Sequence, residues 1–138
     1  SAPRLQAVAA VVIAYAVAMA FLESAVVVYL QRALGIDPRA LLPDARVEEI
    51  AVVVQAGDQQ GAREVVRKLA PAAIRRISRR LLTDQALKSR IAEFLKRQDG
   101  QLQATGGRPD AAKLVGGLLG SDAGRAYLLL DAAAGDVV

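Results

Sequence analysis

The sequence predicts an all-α fold, with one long N-terminal apolar helix followed by a small bundle of about five helices. The chain has 138 residues, is 54% hydrophobic and contains only 4% aromatic residues. A composition dominated by Ala, Val, Leu and Arg favours helix over strand. Beyond the first helix, apolar residues recur at spacings of three and four. We predict an N-terminal tail and transmembrane helix over 1–35, a Pro-containing linker over 36–45 and a basic, cytoplasmic helical domain over 46–138.

The N-terminal helix is predicted from an uninterrupted apolar run. From Ala7 to Leu30 the only charged residue is Glu23. A helix of this length is roughly 36 Å long, enough to cross a hydrocarbon core of about 30 Å. The run therefore favours a transmembrane helix. Two alternatives stay open: a buried helix of a soluble bundle, because so much of the run is alanine, and a signal peptide with Arg4 as its basic region and 18–20 as a small-residue cleavage motif.

The stretch "AMAFLESAVVVYLQRALG", residues 18–35, resembles the first-helix segment of some uncharacterised bacterial integral membrane proteins. The resemblance covers only this segment. It implies a membrane location, which we expect to be the bacterial inner membrane, and it says nothing about activity. Positive charge near the helix ends, with Arg4 before it and Arg32, Arg39 and Arg46 after it, predicts an external N-terminus and a cytoplasmic C-terminal domain.

Glu23 marks a candidate contact face on this helix. A carboxylate at membrane depth costs a few kcal/mol, so such residues face protein or water rather than lipid. Small residues beside it allow another helix to approach closely. The predicted helix–helix interface comprises Ala16, Ala20, Glu23, Ser24 and Val27. It would serve self-association or contact with a protein partner; alternatively, Glu23 snorkels toward headgroups, with Tyr29 and Arg32 marking the membrane surface.

Proline, glycine and short polar residues predict the next helix boundaries. The segments 35–38 and 42–44 each contain a Pro, which restricts its own φ and the preceding residue. Asp44 is predicted to cap a helix over 46–56, which Gly57 and Asp58 end.

A longer helical pattern follows from 59 to 81, with a kink or a break at Pro71. The pair of helices over 47–71 predicts an αα-hairpin rather than a repeat array, because no second copy follows at the repeat period. Thr83 or Asp84 is predicted to cap the next helix.

The C-terminal part predicts a loop over 104–110 and two short helices over about 110–119 and 121–134. Ser121 is a candidate N-cap, and Gly135 a stop. Capping also explains Asp110 and Asp122.

The glycines at 116, 120 and 124 recur every four residues. They lack the Lys-Ser/Thr ending of a phosphate loop, so close helix packing or a helix stop explains them better. The segment 127–130 is then core.

The strongest charge signal is "RKLAPAAIRRISRR", residues 67–80, where arginines lie opposite Ile74, Ile77 and Leu81. The predicted anionic-binding surface comprises Arg67, Lys68, Arg75, Arg76, Arg79 and Arg80. Such a face could contact anionic lipid headgroups, an acidic protein or, less favoured because no aromatics are interleaved, nucleic acid. It could also be an ordinary solvated helix face.

The chain contains no cysteine and no histidine. Disulfides are excluded, and zinc, iron–sulfur and haem sites are strongly disfavoured. Acid–base chemistry would depend on carboxylates, Lys or Tyr, and the sequence places no convincing pair of them. We therefore expect no cofactor, no metal, no catalytic residue and no enzymatic activity.

These features together predict a membrane-anchored structural, scaffolding or assembly subunit of a larger complex, associating through its N-terminal helix and its basic domain. The alternative is a soluble all-helical regulatory or binding module, whose N-terminal helix lies in the core and whose basic face meets nucleic acid or an acidic protein.

Overall fold

A computed structural model describes residues 2–135, apart from the side chains of residues 16 and 18–21 in the first helix. This part of the chain is all-α, which confirms the predicted fold class. Its helices are α1 (Ala2–Ala33), α2 (Pro38–Leu41), α3 (Asp44–Gln55), α4 (Gln59–Leu69), α5 (Pro71–Thr83), α6 (Gln85–Gln103), α7 (Ala111–Gly120) and α8 (Asp122–Ala134).

The last helix, α8, lies at the centre of the bundle. Every residue from Gly124 to Ala134 is buried, and α1, α2, α4, α5, α6 and α7 supply the neighbours that contact it, most closely α4, α5 and α7. A helix that is apolar on nearly every side is stable only when other helices surround it. The prediction that Tyr127 and the three leucines after it form part of the core is confirmed.

The surrounding helices each bury one stripe of apolar residues. In α5 this stripe consists of Ile74, Ile77 and Leu81, spaced by three and four residues, while the arginines on the opposite side face solvent. Ala70 is not helical, so α4 and α5 are separate helices that meet at Pro71. Of the predicted kink or break at Pro71, the break is confirmed.

The predicted caps at Asp84 and Ser121 are confirmed, whereas Asp110, at the N-cap of α7, makes no capping hydrogen bond and Asp122, the first residue of α8, pairs with Arg39. Asp84 caps α6 by accepting a hydrogen bond of 3.0 Å from Leu87 N, and Ser121 caps α8 by accepting one of 3.0 Å from Gly124 N. Gly57, between α3 and α4, has a φ of +82°, a backbone conformation that residues other than glycine rarely adopt.

Two predictions around the linker are wrong. Pro43, not Asp44, occupies the N-cap of α3, and Asp44 is the first helical residue. Within the predicted linker, Asp37 caps the extra helix α2 by accepting a 3.1 Å hydrogen bond from Arg39 N. Seven helices therefore follow α1 in the described part of the chain, rather than about five. Ile36 and Leu42 on either side of α2 are buried, so this segment is packed against the bundle.

The first helix, α1, has two parts with different surroundings. Its C-terminal part contributes Val26 and Leu30 to the same core as the rest of the bundle. Toward its N-terminus, the described side chains from Ala2 to Val17 are all exposed. The core thus begins inside α1 rather than after residue 45.

None of the helices in residues 2–135 is both long enough and apolar enough to cross a membrane. The prediction of a transmembrane helix over residues 1–35 is therefore not supported. The C-terminal part of α1 instead packs within the bundle, where Leu30 is 1% exposed.

Candidate association surfaces

The N-terminal half of α1, residues 2–17, is the largest exposed apolar feature among the described residues; we call it the projecting segment. Successive residues of a helix differ by about 100° around its axis. The large apolar side chains therefore face every side of the helix. They are Leu5, Val8, Val11, Val12, Ile13, Tyr15 and Val17, each at least 56% exposed.

No charged residue interrupts the run from Leu5 to Leu22. Elsewhere in the described chain the large exposed apolar residues are scattered, namely Val28, Val52 and Leu82. Single exposed apolar residues are normal on a protein surface, whereas a contiguous apolar patch marks an interaction site. A helix with apolar side chains on all sides is usually buried, with other apolar groups covering each side.

Glu23, at the centre of the predicted helix–helix interface, faces α6 of its own chain. Its Oε1 accepts a hydrogen bond of 3.0 Å from Gln98 Nε2 and lies 3.4 Å from Arg97 Nε. Gln98 is only 5% exposed. The carboxylate thus helps to hold α1 on the bundle, and neither lipid nor headgroups are needed to satisfy it.

The other members of the predicted interface have different surroundings. Val27 is half-buried and Ser24 is exposed. Ala16 and Ala20 lie outside the residues whose side chains the structure describes. A contact between this stripe and a second chain stays a prediction.

A sequence signal for the Glu23 contact exists on α6. Gln98 continues the apolar stripe of Ile91, Phe94 and Leu95 at the helical spacing. A polar side chain in such a stripe is buried, and a buried amide needs a hydrogen-bond partner. The sequence alone gives no indication that the partner lies 75 residues away.

The predicted anionic-binding surface is mostly exposed. Lys68, Arg75, Arg76, Arg79 and Arg80 all face solvent. Arg67 instead turns inward, and its Nε donates a 3.0 Å hydrogen bond to the carbonyl of Ala132 in α8.

Two of the exposed arginines also make contacts within the chain. Arg76 Nη1 donates a hydrogen bond of 2.7 Å to the carbonyl of Leu34, just beyond α1. Arg80 Nε lies 3.9 Å from Asp84 Oδ2. We use the name basic face for the exposed residues Lys68, Arg75, Arg76, Arg79 and Arg80.

A cluster of polar side chains that the sequence does not predict joins α4, α6 and α8. Arg63 of α4 donates two hydrogen bonds, of 3.0 and 3.1 Å, to Asp131 of α8. Tyr127 donates one of 2.5 Å to Asp99 of α6. These pairs line a cavity of about 200 Å³. The partners are 68 and 28 residues apart, so no local pattern connects them.

The surroundings of this cluster shift the pKa of its members. Burial raises the pKa of the Asp99 carboxyl, and the hydrogen bond from Tyr127 opposes that rise. The pKa of the Tyr127 phenol is also raised, by burial first and by its bond to Asp99 second. The hydrogen bond to Asp131 raises the pKa of Arg63. The Arg63–Asp131 ion pair and the Tyr127–Asp99 hydrogen bond together hold the three helices in contact.

The described residues contain no group of three or more acidic side chains placed to hold a metal ion. Comparisons with known proteins give no match for the chain among family models, curated proteins or solved structures. The location and the orientation predicted from the N-terminal segment stay predictions.

Proposed function

We propose that the protein is an assembly subunit that associates through the projecting segment with further copies of itself. The supporting observation is the exposure of large apolar side chains on every side of residues 2–17. Another copy offers a segment of matching length that is equally apolar. Alanines at 7, 9, 10 and 14 would let neighbouring helices approach closely.

The distribution of these side chains favours more than two chains. Packed helices lie about 8–10 Å apart, so one neighbour covers one side of a helix. Val11 and Ile13 lie roughly 160° apart around the axis and would contact different neighbours. The segment therefore fits a bundle of three or more helices better than a pair.

The basic face supplies a second contact in this proposal. Its five cationic side chains lie on the surface of the domain, and a surface of this kind attracts anionic headgroups or an acidic protein. An assembly would present several basic faces together and so bind an anionic surface with higher avidity than a single chain.

The mass of the chain in solution, measured by size-exclusion chromatography with light scattering, tests the assembly. In the variant Val8→Gln/Val11→Gln/Val12→Gln, we expect a shift from oligomer to monomer, because the helix is retained while its apolar surface is reduced. The matched control is Val52→Gln/Leu82→Gln, two residues that are 68% and 70% exposed on the bundle.

The control variant should keep the mass of the wild type. A wild-type chain that is monomeric at all concentrations would refute self-association. If the wild-type chain is oligomeric and the triple variant is equally so, the association uses another surface.

A second candidate function is a soluble regulatory or binding module that contacts nucleic acid or an acidic protein through the basic face. Its support is that α1 contributes Val26 and Leu30 to the core, as expected when the N-terminal helix belongs to the domain. Phosphate neutralisation requires only cationic side chains.

Binding to anionic vesicles and to duplex DNA, measured across salt concentrations, separates these uses of the basic face. Arg75→Glu/Arg79→Glu should weaken binding to the true target, and Lys96→Glu/Lys113→Glu is a control with the same change in net charge. Binding to DNA by the monomeric triple glutamine variant would favour the second function. Equal losses in both charge variants would mean that only net charge matters.

A further inference from the structure

A cleft between α1, α6 and α8 is lined mostly by apolar side chains and has a volume of about 450 Å³. Pockets for small molecules have volumes of roughly 300–1,000 Å³, are largely apolar and contain a few polar groups that orient the ligand. The apolar lining residues are Leu22, Ala25, Val26, Leu30, Leu87, Ile91 and Leu130. The cleft therefore has the size and the lining of a site for an apolar ligand.

Three polar side chains also line this cleft. The Tyr29 hydroxyl is buried and has no hydrogen-bond partner among the described residues. A buried hydroxyl without a partner has lost its solvation without compensation, so a ligand oxygen that reached it and accepted its hydrogen bond would stabilise the complex. Arg90 and Glu93 are exposed and lie on the same side of α6, three residues apart.

We propose that this cleft binds the hydrocarbon chain of a single-chain amphiphile with an anionic head group, such as a long-chain carboxylate. The chain lies along the apolar side chains. The head group pairs with Arg90 at the rim, where Glu93 repels it. This ligand site is separate from the projecting segment, because its lining on α1 begins at Leu22.

Displacement of a fluorescent long-chain carboxylate from the full chain by saturated carboxylates of increasing length tests the site. Each buried methylene contributes about 0.8 kcal/mol, which is a roughly fourfold gain in affinity per methylene. The gain should stop once the chain fills the cleft, with one ligand bound per protein chain. An affinity that keeps rising with chain length would mean adsorption to open apolar surface and would overturn the proposal.

Substitutions in the cleft provide the second arm of the test. Ala25 is exposed at the cleft, so Ala25→Phe should fill the cavity and abolish displaceable binding. Ala33→Phe changes an exposed alanine of the same helix outside the lining and should leave binding unchanged. Retention of full affinity by the Ala25→Phe variant would overturn the assignment of the cleft.

The head-group contact is tested with a carboxylate and a neutral alcohol of the same chain length. Arg90→Ala should weaken carboxylate binding roughly fivefold and leave alcohol binding unchanged, as expected for an exposed ion pair. Glu93→Gln should strengthen carboxylate binding. Equal effects on the two ligands would refute an anionic head group at this rim.

Discussion

Arg125 is an arginine buried inside the bundle, where it ties together segments that are far apart in sequence. Its Nε donates to the carbonyl of Leu42 at 2.9 Å, Nη1 donates to the carbonyl of Gly120, and Nη2 pairs with Asp44. The guanidinium thereby fixes the connection between α2 and α3 against the turn between α7 and α8. This partner explains why Asp44 does not cap α3.

Replacement of Arg125 by methionine should lower the free energy of unfolding by about 3 kcal/mol, because two carbonyls lose a charged donor. Asp44→Asn should cost less than about 1 kcal/mol, since the Asp44 side chain is 87% exposed. Urea denaturation followed by circular dichroism measures both values. Equal losses in the two variants would show that the ion pair, rather than the buried carbonyl contacts, carries the stabilisation.

Asp99 should make the stability of the protein depend on pH. Burial raises its folded-state pKa above the ordinary value of 3.8, so the folded state holds the proton more tightly than the unfolded state does. The free energy of unfolding should therefore fall as the pH rises from about 3.8 through the folded-state pKa, and then level off.

The variant Asp99→Asn keeps an acceptor for the Tyr127 hydroxyl and removes the titrating group. Its denaturation midpoint, compared with the wild type at a series of pH values, isolates the contribution of Asp99. The wild type should lose stability relative to the variant as the pH rises through this window. A difference that is constant with pH, or of opposite sign, would contradict the raised pKa.

At the scale of single elements, the turn between α7 and α8 depends on Gly124. A Cβ there would overlap the carbonyl oxygen of Leu118 and lie 2.6 Å from Leu119 Cα, both backbone atoms. Gly117, in the exposed interior of α7, has nothing within 4 Å of the equivalent position. Replacing each of the two glycines by alanine should therefore have opposite effects on stability.

Gly124→Ala should lower the free energy of unfolding by about 1–3 kcal/mol through overpacking. Gly117→Ala should raise it by about 0.5–1 kcal/mol, because alanine has the higher helix propensity. Thermal unfolding of both variants checks the pair. A destabilising Gly117→Ala would mean that this face of α7 is covered in the assembled protein.

The sequence predicted helix boundaries well where each boundary depends on residues close together in the chain. The caps at Asp84 and Ser121 and the break at Pro71 depend on neighbours within a few residues. The short helix α2 was missed because its signals, Asp37 and Pro38, are equally typical of a turn.

The sequence predicted α1 as a helix but not where its surroundings change. An apolar pattern without periodicity gives no information about which residues contact the bundle. The division depends on contacts such as Glu23 with Gln98, between residues 75 positions apart. For the same reason, the Arg63–Asp131 and Tyr127–Asp99 pairs were not predicted.

At the scale of the whole molecule, apolar and cationic surfaces lie on different parts of the chain. The projecting segment has no charge between Leu5 and Val17, and the basic face belongs to α4 and α5 of the bundle. The bundle completes its own core around α8, so the projecting segment is free to serve association. We expect its apolar side chains to be covered when copies of the chain assemble.

The reactivity of single thiols tests this claim most directly, because the chain has no cysteine of its own. Val11 is 69% exposed in the isolated chain, and Ala33 is exposed at the other end of α1. At concentrations where the chain associates, a maleimide should label Val11→Cys roughly tenfold more slowly than Ala33→Cys, and dilution should abolish this protection. Equal labelling rates for the two thiols at every concentration would contradict the account.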